Sequence, residues 1–554
     1  MSEICNPIIP GMAPDPSILR VGEDYYIATS TFHWLPGVPV YHSKDLQNWH
    51  LLTYVLGEHT GLDLRGTSTP AGIWAPNLSY DEAEQKFWLV YCHMLNMAGR
   101  EFNAETYAMC ADKITGPWSK PLYLTSIGFD PALYHEGGRH YLSILEWETR
   151  SGHQAPGTIV LTEVDLKDGT TKAWHSLTHG FTTRGCVEAP QLYKHEGYYY
   201  LLVASGGTGY AHGVEMGRAK DIFGPYEPNP TCEPILTSSP RHLFSLGDPD
   251  AGHFEMYNPH SLMQKAGHGS LVETPQHEFY IAHLMSRPLP HTTLNPLGRE
   301  TSLQQVRWTK EGWLELADGS NLAKMTVPAP QQSAGQESQD KADFDIFDDF
   351  SSGTYNPAFM TPYHFPEPSW GRVQNGVLSI AGRGSFFSRN NPSILATRAT
   401  SFAYNLQTKV DFKPEHFSQT AGVGLYYDAG NWVYACVGLN DKGTGRVIAV
   451  LQAKLGQRIA FDFDKIELPA GAVPELRWRY QNGQAQAFCR WGDQTQWRSL
   501  TEPLDVSYLS DEGVNGEPGE IGGFTGLFNF IGSVDAYQHA SHADFFYYQV
   551  KTDN

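Results

Sequence analysis

Residues 189–205 read APQLYKHEGYYYLLVAS. A short run with alternating aliphatic residues meets a polar turn at His-Glu-Gly, and an aromatic and aliphatic run follows, which is the pattern of a β-hairpin. The same order recurs as DPSILRVGEDYYIATS from Asp15, APNLSYDEAEQKFWLVY from Ala75, DPALYHEGGRHYLSIL from Asp130 and HGSLVETPQHEFYIAHL from His268. The turns are carried by GED, DEAEQ, EGG, HEG and TPQ. The five segments start 60, 55, 59 and 79 residues apart. That spacing leaves room for about four short strands per unit, and repeated units of this size pack radially. The N-terminal part is therefore expected to be a five-bladed β-propeller over residues 1–327.

Beyond it, PAPQQSAGQESQDKAD at 328–343 has no hydrophobic periodicity and reads as a linker. From residue 344 to 554 alternation returns in LQTKVDFKP, GVGLYYDAGNWVYACVGL, RVIAVLQAK, LRWRYQNGQAQAFCRW and ADFFYYQV. Strands of this kind separated by Gly, Asn and Asp turns predict a β-sandwich of concanavalin-like, lectin-type jelly-roll form. The fold class is thus all-β: a propeller followed by a sandwich.

The 554 residues exceed what one hydrophobic core usually supports. Sixty acidic against 39 basic residues give a formal net charge of −21. An acidic chain without clustered Lys and Arg is a poor ligand for nucleic acid or an anionic membrane. No stretch approaches the roughly 20 apolar residues of a membrane span. The opening MSEICNPIIPGMAPDPS has neither the basic nor the apolar region of a secretory signal, so a cytoplasmic protein is expected. Seven Cys without CxxC spacing argue against a disulfide framework or a structural zinc site. The acidic, aromatic-rich composition is compatible with a homo-oligomer and does not demand one.

In a propeller the first strand of each blade lines the central channel, so residues opening the repeats converge. These are Asp15, Trp74, Asp130, Glu188 and His268. Asp15, Asp130 and His268 share one register, and Trp74 and Glu188 sit one residue earlier. The Pro after Asp15 and after Asp130 biases both toward extended backbone. Alone, each Asp-Pro reads as a turn and Glu188 as a paired buried carboxylate; together they put more acid in one place than structure requires. Glycosidic hydrolysis uses one protonated carboxylic acid and one carboxylate across the scissile bond. Glu188, among Val187, Ala189 and Pro190, suits the acid, whose pKa must be raised. Asp15 suits the base, and Asp130 is the neighbour that keeps Glu188 protonated and oriented. Phe32, Trp34, Trp74 and Trp147 are candidate platforms for sugar C–H faces. No GxSxG or GxxxxGK[ST] occurs, Gly267-His268-Gly269 has no second His at helical spacing, and SGGTG from Ser205 lacks a following helix.

The strings GMAPDPSI, TSTFHWLPGVPVYHSKDLQNW, GIWAPNLSY, FDPALYHE, EAPQLYKHEGYYYLL, GGTGYAHGV, GHGSLVET and LGRETSLQ resemble glycoside hydrolase family 43, in its two-domain β-xylosidase branch. DDFSS near Asp348 and GFTGLF near Phe524 extend the resemblance through the sandwich. It implies anomer-inverting hydrolysis with Asp15 as general base, Asp130 as pKa modulator and Glu188 as general acid. It implies Phe32, Trp74, Trp147, Thr208 and Arg299 around the terminal sugar. Phe528, in FTGLFNF, is the residue it suggests as reaching over the pocket from the sandwich. No cofactor is required; His268 at the channel floor is where the resemblance allows a water-mediated cation, Ca2+ above all. The implied activity is that of an exo-acting β-D-xylosidase on xylo-oligosaccharides, with α-L-arabinofuranosidase or a bifunctional enzyme as the alternative. The chain departs from the branch at Asn77, at Val187 and Ala189 beside the acid, at Ser205, and in SILEWETR. All are expected near the pocket, where they bear on substrate choice.

Overall fold

The structure is a computed structural model describing residues 2–97, 101–150, 157–239, 257–331, 343–454, 466–514 and 523–553. The five sequence repeats form the first two strands of five successive antiparallel sheets, here I to V. Their inner strands are Ser17–Val21, Gly72–Asp81, Gly128–Glu136, Glu188–His195 and Gln264–Glu273. Each pairs with the aromatic-rich strand that follows it across the short polar turn. Each inner strand also touches the inner strand of the next sheet, and that of sheet V returns to that of sheet I, so the propeller closes. Closure is completed by Glu3–Cys5 pairing with Thr326–Pro328, and by Asn6, whose side chain bonds Leu303 in both directions. No helix among the described residues is long and apolar enough to cross a membrane.

At the channel end where the repeats begin, each repeat has a left-handed residue: Asp15 (φ 57°), Ala75 (41°), Asp130 (55°), Ala189 (52°) and His268 (54°), with a second in sheet V at Lys265 (60°). In sheets II to V the ladder breaks register at this point. The one-residue offset seen in the sequence thereby resolves into a single repeated bulge. Trp74 and Glu188 precede the left-handed residue, whereas Asp15, Asp130 and His268 occupy it. The extended backbone expected for Asp15 and Asp130 from the prolines behind them is not what forms. The left-handed conformation costs an L-residue roughly 1–2 kcal/mol, and sheet closure on both sides imposes it. A bulge re-aims the side chain next to it, and here the left-handed step brings Asp15, Trp74, Asp130, Glu188 and His268 to one cavity.

The described residues between 346 and 552 form the second body, in which a nine-stranded sheet lies on a six-stranded one. Strand Ala403–Asp411 buries every second residue, the signature of a face packed on a core. That core holds Leu406, Val423, Trp478, Ile531 and Phe545 among its fully buried residues. Most of the stretch expected to be a linker, 332–342, lies outside the described residues. The two bodies share a third core. Trp34–Leu35 of the propeller pairs with Thr361–Pro362, and the Trp34 indole stacks on Phe528 with ring centroids 3.7 Å apart.

Candidate active site

Nine residues singled out from the sequence line one cavity of about 400 Å³ at the bulged end of the channel: Asp15, Phe32, Trp74, Asp130, Trp147, Glu188, Thr208, His268 and Arg299. Asp15 is buried. Its Oδ2 accepts from Ser30 Oγ at 2.5 Å, and that hydroxyl in turn accepts from the Ala75 backbone N–H at 2.7 Å. The bulge of sheet II thus anchors the serine that orients the carboxylate of sheet I. Arg299 Nη1 donates to Asp15 Oδ1 at 3.3 Å and to Thr208 Oγ1 at 3.1 Å, and its Nη2 donates to the Phe524 carbonyl at 3.2 Å. His268 Nδ1 lies 3.6 Å from Asp15 Oδ1.

Glu188 is half-buried, and burial followed by the negative charge of Asp15 pushes its pKa up to about 7, against the opposing pull of Arg299. Asp130 is raised well above the usual carboxylate range, first by burial and then by the charges of Glu188 and Asp15. Both carboxyls are thus shifted toward their protonated forms. Burial lowers the pKa of His268, with Asp15 opposing, and drives that of His212 down to about 3. His212 Nδ1 donates to the Lys265 carbonyl at 2.9 Å. Its ring occupies the space beside Gly267, where an added Cβ would come within 2.4 Å of it, so the Gly267-His268-Gly269 motif is a packing requirement.

Aromatic rings form the walls. Phe32 lies 5.9 Å from Trp74, which lies 5.8 Å from Phe129, and Phe129 is 5.6 Å from Trp147. The remaining wall comes from the sandwich, and its residue is Phe524, stacked 6.3 Å from Phe32 with the Arg299 guanidinium 4.9 Å from its ring. Phe528 does not reach over the pocket. It is fully buried against Trp34, which is itself buried and offers no platform. Phe528 opens the regular strand Phe528–Asp535, whose alternation sends it into the shared core, while Phe524 sits on the preceding Gly-flanked loop. Gly298 (φ 70°) lets that loop approach, since a Cβ there would fall 2.0 Å from the Thr525 carbonyl oxygen. The signal available in the sequence was the pair of glycines, 523 and 526, on either side of Phe524.

Three of the departures stand apart from the cavity lining. Asn77 faces the opposite mouth of the channel, where its Oδ1 accepts from Leu133 N–H at 3.1 Å and ties sheet II to sheet III. Val187 packs in an apolar cluster between sheets, and Ser205 is fully buried. The carboxylate of Asp15, 3.6 Å from His268, is already engaged by Ser30 and Arg299. Calcium takes six to eight oxygen ligands, so a cation beside His268 would have to take most of them from water.

The profile described as "Glycosyl hydrolases family 43" matches residues 4–314, and that described as "Beta xylosidase C-terminal Concanavalin A-like domain" matches 347–551. "Xylosidase/arabinosidase 43B" of Humicola insolens is 34% identical over 99% of this chain and 97% of its own length. "Beta-xylosidase" of Bacillus subtilis (strain 168) is 34% identical over 99% of both chains. The crystal structure of xylan beta-1,4-xylosidase from Bacillus halodurans C-125 superposes with a TM-score of 0.90 at 35% identity, covering 99% of this chain and 100% of that one. With both bodies matched in order and relatives alike from end to end, the chain belongs to glycosyl hydrolases family 43.

Proposed function

We propose that the protein is an inverting, exo-acting β-D-xylosidase that removes xylose from the non-reducing end of short xylo-oligosaccharides. The observation that carries this reading is the unequal treatment of carboxylates in one aromatic cavity. Asp15 is held by Arg299 and Ser30, while burial and like charge shift Asp130 and Glu188 toward their protonated forms. Asp15 accepts a proton from a water molecule as that water adds to the anomeric carbon. The Glu188 carboxyl gives its proton to the departing glycosidic oxygen as the bond to that carbon breaks. Asp130 stabilises and orients the protonated acid. Single displacement inverts the anomer, as is general for family 43. Phe524 closing one side of the cavity favours a terminal sugar over a chain passing through.

The test is proton NMR of xylotriose hydrolysis in its first minutes. Newly released α-xylose, before mutarotation, is the expected product; β-xylose would overturn the role given to Asp15, and no release would overturn the substrate. Removal of α-L-arabinofuranosyl groups is the second reading, favoured by the likeness to the Humicola xylosidase/arabinosidase. Relative kcat/KM on the two aryl glycosides separates the readings.

A further inference from the structure

At the opposite end of the channel, Asp81, His135 and His140 bring one ligand atom each into a single cluster. Asp81 ends the inner strand of sheet II, His135 lies near the end of that of sheet III, and His140 lies near the start of the strand paired with it. At about 3.3 Å per residue along a strand, the cluster is roughly 15 Å from Asp130 and outside the catalytic cavity. His135 Nδ1 and His140 Nδ1 face each other at 2.8 Å, and His140 Nδ1 is 3.7 Å from Asp81 Oδ2. Asp81 is 3% exposed, and its Oδ1 accepts from the Ala83 N–H at 2.8 Å. Its Oδ2 is buried without a hydrogen-bond partner.

A single N–H between the two rings satisfies one nitrogen pair and leaves Asp81 Oδ2 bare, which is costly for a buried carboxylate. One cation satisfies all three atoms at once. We propose that Asp81, His135 and His140 form a binding site for a zinc-class divalent cation that ties sheet II to sheet III. Two nitrogens and one carboxylate oxygen suit zinc, whereas calcium and magnesium prefer oxygen throughout. Two nitrogens bound to zinc at about 2.0–2.1 Å sit about 3.3 Å apart, so binding requires the rings to separate by about half an ångström. The surroundings match those of a metal-bound His. Ser79 Oγ lies 3.0 Å from His135 Nε2 and fixes the ring's orientation, and the Trp88 indole lies 6.4 Å and 6.3 Å from the two imidazoles as an apolar cover. His135 also lines the open channel mouth, which supplies an entry path.

The experiment is titration of the chelator-dialysed full-length protein with Zn2+, and with Co2+ as a coloured reporter. The expected result is one saturable ion per chain, a visible Co2+ absorption band and a melting temperature raised by a few degrees. All three are lost in His135→Asn, His140→Asn and Asp81→Asn, with glycosidase activity unchanged. A readout on the unaltered protein guards against variants that misfold: Zn2+ should shield His135 and His140 from diethyl pyrocarbonate, as mapped by mass spectrometry. Ions retained in all three variants, as exposed Cys5 and Cys232 would hold them, would overturn the proposal. So would equal modification of both histidines with and without Zn2+.

Discussion

The propeller and the sandwich are both antiparallel β-structures, yet they use their strands in opposite ways. In the sandwich, strands such as Pro474–Gln481 and Ala403–Asp411 alternate regularly, and their inward side chains fill the space between two sheets. In the propeller, the inner strands break at a left-handed residue where they reach the catalytic end of the axis, and Asp15, Asp130 and Glu188 open onto a cavity there. Each body also holds a carboxyl pushed up to about 7, with burial the leading cause in both: Glu188 in the propeller and Asp511 in the sandwich. Asp511 is fully buried and accepts from Tyr427 Oη at 2.6 Å, so its proton has nowhere to go. Glu188 faces the cavity. A shifted pKa marks a functional group only where the group also meets a substrate-sized space.

The largest effects are expected at the carboxylates. Asp15→Asn and Glu188→Gln are each expected to lower kcat about 10³-fold or more on xylobiose, while leaving the melting temperature near that of the parent. Glu188→Gln should spare aryl xylosides with good leaving groups, because they need no proton from the acid. Equal losses on both substrate types, read from steady-state kinetics, would remove Glu188 from that role.

Next in size are substitutions that test how firmly the two bodies are joined. Lys265, fully buried in sheet V, pairs with Glu512, which also accepts from Asn295 N–H at 2.8 Å. Lys265→Met should cost about 3–5 kcal/mol by leaving the Glu512 carboxylate buried and unpaired. Adding Glu512→Met should recover part of that loss, as measured by urea unfolding of the single and double variants. Full recovery with unchanged KM would mean that apolar packing joins the bodies as well as the ion pair does and that the pair does not shape the pocket.

The two phenylalanines of the sandwich serve different ends, one as pocket wall and one as core. Phe528→Ala is expected to lower stability by about 3–5 kcal/mol through the cavity left against Trp34. Phe524→Ala should leave stability almost intact and raise KM about tenfold, the loss of one aromatic wall worth about 1.4 kcal/mol. If instead Phe528→Ala raised KM without loss of stability, the assignment of the wall to Phe524 would be wrong.

The smallest expected effect is on pH dependence. Glu188 works protonated, so kcat/KM should fall as pH rises through about 7. The same shift bears on stability. A carboxyl raised from 4.5 to about 7 in the folded protein favours folding fully below about 4.5, and that contribution is lost as pH rises through about 7. Glu188→Gln should flatten this slope in melting temperature against pH; an unaltered slope would assign it to Asp130 or Asp511.

What the sequence determined by itself was local. Each hairpin is written in a contiguous alternation with its own turn, and the carboxylates stand at the head of the repeats, so both the fold and the composition of the cavity were legible. The tertiary structure decided whatever depended on how separate segments approach one another. The one-residue offset of Trp74 and Glu188 became a bulge because sheet closure imposes the same left-handed step at every inner strand. Asn77 went to the opposite channel mouth because it lies beyond that step. Phe524, not Phe528, walls the pocket because Gly298 admits the Thr525 backbone there, while strand alternation sends Phe528 inward against Trp34. Lys265 and Glu512, 247 residues apart, carry no local sign of each other. Alternation and turn chemistry act over a few residues, whereas these contacts exist only once the propeller has closed on itself or has packed against the sandwich.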